Sequence, residues 1–496
     1  MQKALEEKRK ITLNEWVAKE AMAESMIPLI GSLYRERNVV TSVYSRPIIN
    51  RSVTSILKAH KFAKKINPVS LSVTDTLPIL EILSTLDLSP SRIDLGKLAH
   101  LYLAHLNHQE PKSDRSAALD LEAFVKEKVS GALKTHEAPM QPRDVVLYGF
   151  GRIGRLVARI LIEKLGSGEA LRLKAIVVRK GKANNDLAKR ASLLRRDSVH
   201  GTFQGTIAVD EDLQGIQANG CFIKIIYSDD PKAIDYTEYG INDAILIDNT
   251  GVWRDETSLS QHLQAKGISK VLLTAPAKDD IKNVVFGVNN ELVSQDDRLV
   301  SAASCTTNAI VPVLKAIEEE WGVKSGHVET VHAYTNDQNL IDNYHKNERR
   351  GRSAALNMVI TETGAAKAVA KALPALEGKL TGSAIRVPTP NVSMAILNVN
   401  LEKPATREAL NEFLRCAALY SSLQKQIDYI DSPEAVSSDF VGSRHACVVD
   451  AQSTIVKENQ AVIYIWYDNE FGYSCQVVRL AQQMAGIIYP KFPIDG

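Results

Sequence analysis

Residues Arg143–Leu165 read RDVVLYGFGRIGRLVARILIEKL, and this stretch decides the fold. Val145, Val146 and Leu147 form a short apolar run of the kind a buried strand carries. Glycines follow, and then an apolar segment at helical spacing. A second apolar run, Leu173–Val178, comes next, so the order is strand, helix, strand. That opening predicts a parallel sheet with helices on both faces. Ala244–Ile247 and Val271–Thr274 continue it as further strands.

The turn between strand and helix holds Gly149, Gly151 and Gly154 in the spacing G-x-G-x-x-G. The first glycine permits a tight turn and the second lets the backbone approach a pyrophosphate. The third lets helix and strand pack closely, and the helix N-terminus offers N–H groups to the anion. The stretch therefore points to a dinucleotide, the alternative being an ordinary strand-to-helix turn. An acid normally ends the second strand and holds the adenosine ribose 2′-hydroxyl. Here that position is Val178, followed by Arg179 and Lys180. Without the carboxylate a 2′-phosphate is not repelled, which leaves NADP open beside NAD.

Outward from this stretch the chain divides into three. At 496 residues it is too long for one ordinary domain. Residues 1–141 read as an all-α extension. Leu95, Leu98, Ala99, Tyr102, Leu103 and Leu106 share one helical face, and Leu121, Phe124, Val125, Ala132 and Leu133 repeat the pattern less strictly. Pro28, Pro47, Pro68, Pro78 and Pro90 predict several short helices, and Glu137–Pro142 predicts a linker. So divided, the extension is expected to lean on a partner surface rather than build a full core alone. Residues 142–304 form the Rossmann-type domain, completed by a C-terminal helix at 472–496. Residues 305–471 form an α+β domain with the strand-like runs HVETVHAYT, NVSMAILNVNL and AVIYIWYD.

Sixty basic and 58 acidic residues leave a formal charge of +2, which gives no bulk argument for nucleic acid or membrane. The eight basic residues against one acid between Arg35 and Lys65 are the single hint of an acidic or phosphate-bearing partner. No stretch approaches the roughly 20 apolar residues of a membrane helix, and the first residues lack the apolar core of a secretory signal. Five cysteines at irregular spacing suggest no disulfide framework, so a reducing cytoplasm is expected.

Cys305 sits in SAASCTTN, directly before a helix whose apolar face is Ile310, Val313, Leu314, Ile317 and Trp321. A thiolate at a helix N-terminus is stabilised by the dipole and by free N–H groups. Pro312 is expected to kink this helix or delay its regular start. Cys221, Cys416, Cys447 and Cys475 read as small buried hydrophobes.

GFGRIGR at Gly149–Arg155, RDSVHG at Arg196–Gly201 and SCTTN at Ser304–Asn308 are followed by VHAYT at Val331–Thr335 and TGAAKAV at Thr363–Val369. LTGSAIRVPTPNVS at Leu380–Ser393 and WYDNEFGYS at Trp466–Ser474 complete the set. In these blocks, and in their order, the chain from Val145 onward resembles the phosphorylating glyceraldehyde-3-phosphate dehydrogenase family. The resemblance implies Cys305 as nucleophile and His332 as the imidazole that activates it. It implies a substrate phosphate on Thr335 and Arg386, and an inorganic phosphate met by Ser304, Thr363, Gly364 and Arg350, with Thr306 beside them. For NAD or NADP it implies the glycine loop with Arg152 and Ile153, the strand end at Val178 and Arg179, Thr274 near a ribose, and Asn469 on the nicotinamide carboxamide. No metal is implied. Tyr148, Val178 and Asp229 depart from the family's usual Asn, acid and Arg, and all three concern the cofactor.

The implied reaction oxidises glyceraldehyde 3-phosphate to 1,3-bisphosphoglycerate through a Cys thioester, in glycolysis or gluconeogenesis, in a cytoplasmic homotetramer. Erythrose-4-phosphate dehydrogenase is the alternative within the same chemistry. A regulatory or nucleic-acid-binding protein on a dehydrogenase scaffold is the alternative outside it.

Overall fold

The computed structural model describes residues 1–66, 70–107, 114–134, 141–166, 170–182, 184–361 and 363–494. The chain forms two compact units. One comprises Met1–Gln141, Gly166–Ala170 and Ile488–Gly496, and the other Pro142–Leu165 with Leu171–Ile487. Residues 137–140 of the expected linker, and Pro68, lie outside the described residues.

The first unit has the expected helices, among them Leu95–Asn107, but the prolines do not divide it as the sequence suggested. Pro28 lies inside one long helix, Gln2–Arg37, and Pro78 inside Val73–Thr85. A proline removes one backbone hydrogen bond, and burial of Ala23, Met26 and Ile30 around Pro28 offsets that local loss. The unit also contains strands that no periodicity announced. Arg46–Pro47, Val39–Val43, Ser91–Asp94 and Lys491–Phe492 form a four-stranded sheet in that order, the last strand coming from the chain's C-terminus. The Leu95, Leu98 and Ala99 stripe packs into a core shared with Met26, Leu33, Ile56, Leu80, Leu83, Val125 and Phe492. The extension therefore buries its apolar stripe within itself. The long helix and the C-terminal strand supply the surface that the proline-divided reading lacked.

In the second unit, nine strands form the dinucleotide-type sheet. The order runs Lys282–Asn283, Leu299–Ser301, Ile268–Leu273, Ala244–Asp248, Arg143–Tyr148, Leu171–Val178 and Cys221–Tyr227, all parallel. Gly215–Ala218 and Ile207–Asp210 close that edge in antiparallel fashion. Arg143–Tyr148 is the central strand at which the order reverses, the place where such sheets bind ligands beyond their carboxyl ends. Helix Phe471–Met484 packs on helix Arg152–Glu163. The helix expected to run to 496 ends at Met484, because the tail beyond it turns into the first unit's sheet.

The same unit holds a seven-stranded mixed sheet: Val359–Thr361, Leu380–Val387, Val323–Ala333, Ser393–Leu401, Gln460–Tyr467, Cys447–Lys457 and Ile427–Ile430. Its apolar face, with Val328, Ala395, Leu397 and Ile463, packs against Ile310, Val313, Leu314 and Ile317 of helix Cys305–Trp321. This packing sets the helix N-terminus against the end of strand Val323–Ala333. Pro312 lies within the helix without delaying its start at Cys305.

Candidate active site

Helix Cys305–Trp321 begins where the chain leaves strand Leu299–Ser301 through a tight turn. Ala303 takes a left-handed φ of 54° there, a conformation costing a non-glycine residue roughly 1–2 kcal/mol. The turn is held from both sides: Ala303 N donates to Ser301 Oγ at 3.0 Å, and Tyr473 Oη donates to the Ala303 carbonyl at 2.9 Å. Ser304 caps the helix, its Oγ accepting from Thr307 N at 3.0 Å. Cys305 is thereby fixed at the first helical position.

Strand Val323–Ala333 brings His332 to it. Cys305 Sγ and His332 Nε2 lie 3.5 Å apart, and His332 Nδ1 is 2.6 Å from the Ala333 carbonyl. Arg386 is the register partner of His332 on the adjacent parallel strand. Its Nη1 lies 2.7 Å from His332 Nδ1 and 3.1 Å from the Ala333 carbonyl. Burial, with the Arg386 charge second, holds the His332 pKa down at about 4. Burial pushes the Cys305 thiol up, while Arg386 and hydrogen bonds from Thr306 pull it the other way. At neutral pH this pair is a thiol beside a neutral imidazole, with a cation next to both. Thr306 Oγ1 meets Tyr467 Oη at 3.1 Å, and Tyr467 Oη meets Thr330 Oγ1 at 2.7 Å, so the residue after Cys305 is tied through Tyr467 to the strand that carries His332.

Thr335 and Arg350 converge on one carboxylate, Asp337. Thr335 Oγ1 donates to Asp337 Oδ1, and Arg350 Nη1 donates to Asp337 Oδ2 at 2.6 Å. Arg350 Nη2 also donates to Thr361 Oγ1 at 3.0 Å. Thr363 and Gly364 stand at the start of helix Ala365–Ala372, with Thr363 Oγ1 accepting from Ala365 N at 3.1 Å. Of the anion-site residues expected from the sequence, the structure joins Arg386 to the Cys–His pair. It joins Thr335 to Arg350 through Asp337.

The glycine loop fits a dinucleotide. A Cβ on Gly154 would lie 2.4 Å from the Gly149 carbonyl, and one on Gly149, where φ is +92°, would meet the Thr250 side chain at 2.9 Å. A Cβ on Gly151 would meet nothing within 4 Å, so the loop is open on the side where a pyrophosphate approaches. Ile153 lies in the first turn of helix Arg152–Glu163. Thr274 Oγ1 donates to the Asp248 carbonyl at 2.9 Å, beside the glycine-loop strand. Ser393 Oγ donates to Asn469 Oδ1 at 2.8 Å, which fixes the amide and leaves its NH2 to reach a ligand. The Arg152 guanidinium is engaged by Glu470 and, at 3.3 Å, by Asp197, so its side chain braces the loop.

Val178 ends its strand buried, and Arg179 and Lys180 follow it exposed. Tyr148, at the end of the central strand, packs edge-on against Trp253 and His262 at 5.4 and 4.8 Å. Burial first, then the charges of Asp248, Asp230 and Asp229, push its pKa up to about 12. Asp229 and Asp230 follow strand Cys221–Tyr227, exposed, and their charges bear on Tyr148.

Sequence reasoning missed several of these groups. Tyr467, Glu470 and Tyr473 lie inside WYDNEFGYS, and Ser393 ends LTGSAIRVPTPNVS, so their blocks carried a signal although their roles did not. Asp337 falls just outside VHAYT and had none. Among the described residues, no group of three or more His, Cys, Asp or Glu is placed to hold a metal, and no helix is long and apolar enough to cross a membrane.

Residues 143–256 match the glyceraldehyde 3-phosphate dehydrogenase NAD binding domain, and residues 304–469 match the C-terminal domain. A glyceraldehyde-3-phosphate dehydrogenase-like protein of Pseudomonas aeruginosa is 61% identical over 471 residues, 94% of this chain and 100% of that one. The glyceraldehyde-3-phosphate dehydrogenase of Borreliella burgdorferi is 42% identical over 350 residues, 68% of this chain and 99% of its own. The chloroplastic enzyme GAPB of Arabidopsis thaliana is 38% identical over 402 residues, covering 80% and 86%. The chain belongs to the glyceraldehyde-3-phosphate dehydrogenase family of phosphorylating, NAD(P)-dependent enzymes.

Proposed function

We propose that this enzyme converts glyceraldehyde 3-phosphate, phosphate and NAD(P) to 1,3-bisphosphoglycerate through a thioester on Cys305. The observation that carries the mechanism is the 3.5 Å approach of Cys305 Sγ to His332 Nε2 at a helix N-terminus, with Arg386 beside them. His332 takes the thiol proton, and the sulfur adds to the aldehyde carbon. The backbone N–H of Cys305 stabilises the developing oxyanion, His332 returns the proton to it, and His332 takes that hydroxyl proton back as the hydride leaves the carbon. NAD(P), when bound, supplies the hydride acceptor, and Asn469 would hold its carboxamide. Phosphate attacks the thioester carbon, the C–S bond breaks, and Cys305 leaves as thiolate. Arg386 and Thr335 hold the substrate phosphate. Arg350, Ser304, Thr363 and Gly364 hold the attacking one, and Thr306 supports the helix start.

The same reading extends to a homotetramer in a reducing cytoplasm, acting in glycolysis or gluconeogenesis. All five cysteines are free thiols, which suits that compartment. Light scattering of the purified protein tests the assembly. Initial rates with and without phosphate test the chemistry. Turnover that persists undiminished without phosphate and releases the acid would replace this reading with that of an erythrose-4-phosphate dehydrogenase.

A further inference from the structure

Helix Gln2–Arg37 divides into two halves with different surroundings. Ala23, Met26, Ile30 and Leu33 are buried in the core of the first unit, whereas every residue from Gln2 to Lys19 is exposed. Nothing local holds the exposed half. Its N-cap is Met1, which makes no side-chain cap bond, and no acid stands in the first turn. A helix draws most of its stability from packing an apolar face, so this half lacks a covering surface. It nevertheless carries Leu5, Leu13 and Trp16, with Ile27 where the buried half begins, all exposed, Leu13 by 61% and Trp16 by 46%. Leu5, Arg9, Leu13, Trp16, Glu20 and Ile27 recur at steps of three, four and seven residues, so they line one face. The order along that face is symmetric. Leu13 and Trp16 stand in the middle, and Arg9 and Glu20 lie four residues outside them on either side.

We propose that the exposed half of this helix pairs with the same half of a second copy of the chain, antiparallel about a two-fold axis between Leu13 and Trp16. In that register Leu13 of each copy packs on Trp16 of the other, and Arg9 of each meets Glu20 of the other. A two-fold contact is self-complementary, since what one residue offers its opposite is returned across the axis. Trp16 supplies the large, rigid apolar area that anchors such contacts. The Arg9–Glu20 pairs set direction and register, because a parallel pair would bring Arg9 to Arg9 and Glu20 to Glu20. The two helices run alongside each other from Gln2 to Ile27, about 39 Å at the helical rise, and Pro28 follows directly. A uniformly charged partner, such as a nucleic acid or an acidic lipid surface, would be attracted at Arg9 and repelled at Glu20. A second copy satisfies both.

Cross-linking of the full-length enzyme through single introduced cysteines tests the pairing, read as covalent dimers on a denaturing gel. The unaltered chain is the control for its five native thiols. Leu13→Cys, close to the axis, should give a dimer with a short bis-maleimide. Leu5→Cys should not, because the antiparallel register sets the two introduced thiols roughly 28 Å apart along the helices. Arg9→Glu in the Leu13→Cys chain should slow cross-linking about tenfold by bringing like charges together. Glu20→Arg added to it should restore the rate, since each pair is then remade with its signs exchanged. Trp16→Ala should slow it as well, and none of these changes should alter turnover per chain. Equal dimer yields from Leu5→Cys and Leu13→Cys would show a parallel or unspecific contact and overturn the proposal. No dimer from Leu13→Cys, an unchanged rate with Arg9→Glu, or a loss that Glu20→Arg does not restore would show that another surface or solvent covers this face, and each overturns it as well.

Discussion

Arg386 and His332 face each other across two parallel strands, with Arg386 Nη1 2.7 Å from His332 Nδ1. The residue proposed to hold a substrate phosphate therefore also bears on the base proposed to activate Cys305. The guanidinium charge opposes a second positive charge beside it, so it favours the neutral imidazole over the imidazolium. Arg386→Leu should accordingly raise the His332 pKa from its depressed value. A nitrogen-15 titration, with His332 assigned by its Asn variant, reads this directly. An unchanged pKa would mean that burial alone sets it.

Stability follows from the same depression. His332 stays neutral in the folded protein down to about pH 4, whereas an unfolded histidine takes a proton near 6.5. Between these values the unfolded state binds more protons, so stability falls as pH drops from 6.5 toward 4 and this contribution is flat outside that window. The loss is up to about 3 kcal/mol, and His332→Asn should be spared it. Denaturant melts of both proteins at pH 7.5 and 5 make the comparison, and identical losses would refute it.

Cys305→Ser should abolish turnover with no change in fold or nucleotide affinity. Alanine or serine at the other four cysteines should leave the chemistry intact, since none of them adjoins His332. Turnover within a few-fold of the wild-type rate would exclude Cys305 as nucleophile.

The two anion positions separate by variant. Arg386→Leu should raise the KM for the phosphorylated aldehyde, whereas Thr363→Val should act more on inorganic phosphate. The loss of one charge-assisted hydrogen bond, about 1.5–3 kcal/mol, corresponds to roughly 10- to 150-fold. Because Asp337 engages both Thr335 and Arg350, Asp337→Asn should alter phosphate binding as well. Two unchanged Michaelis constants in the first pair would show the assignment to be misplaced.

Phe492, only 4% exposed, lies in the core of the first unit although it is four residues from the chain's end. Phe492→Ala should destabilise that unit by about 3–5 kcal/mol, and removal of residues 488–496 should cost more. The catalytic set lies elsewhere in the chain, so Cys305 alkylation should not change. Calorimetric scans of the three proteins test this, and an unaltered melting profile would show that the tail does not hold the unit together.

The glycine loop, its strand and helix, and the Cys305 helix were legible in the sequence, because each depends on neighbours within one turn or one strand. Gly154 must be glycine on account of Gly149, five residues away. Sequence blocks likewise named Cys305, His332 and Arg386. Only the tertiary structure decided that Arg386 touches His332 and that Asp337 joins Thr335 to Arg350. Those contacts depend on strand register and on loops whose residue types fit a solvated surface equally well. The first unit shows the same division more sharply. Its helical stripes declared themselves through their period, whereas its sheet stayed hidden. Short strands carry too few residues for a period, and the strand Lys491–Phe492 comes from the far end of the chain to pair with Ser91–Asp94.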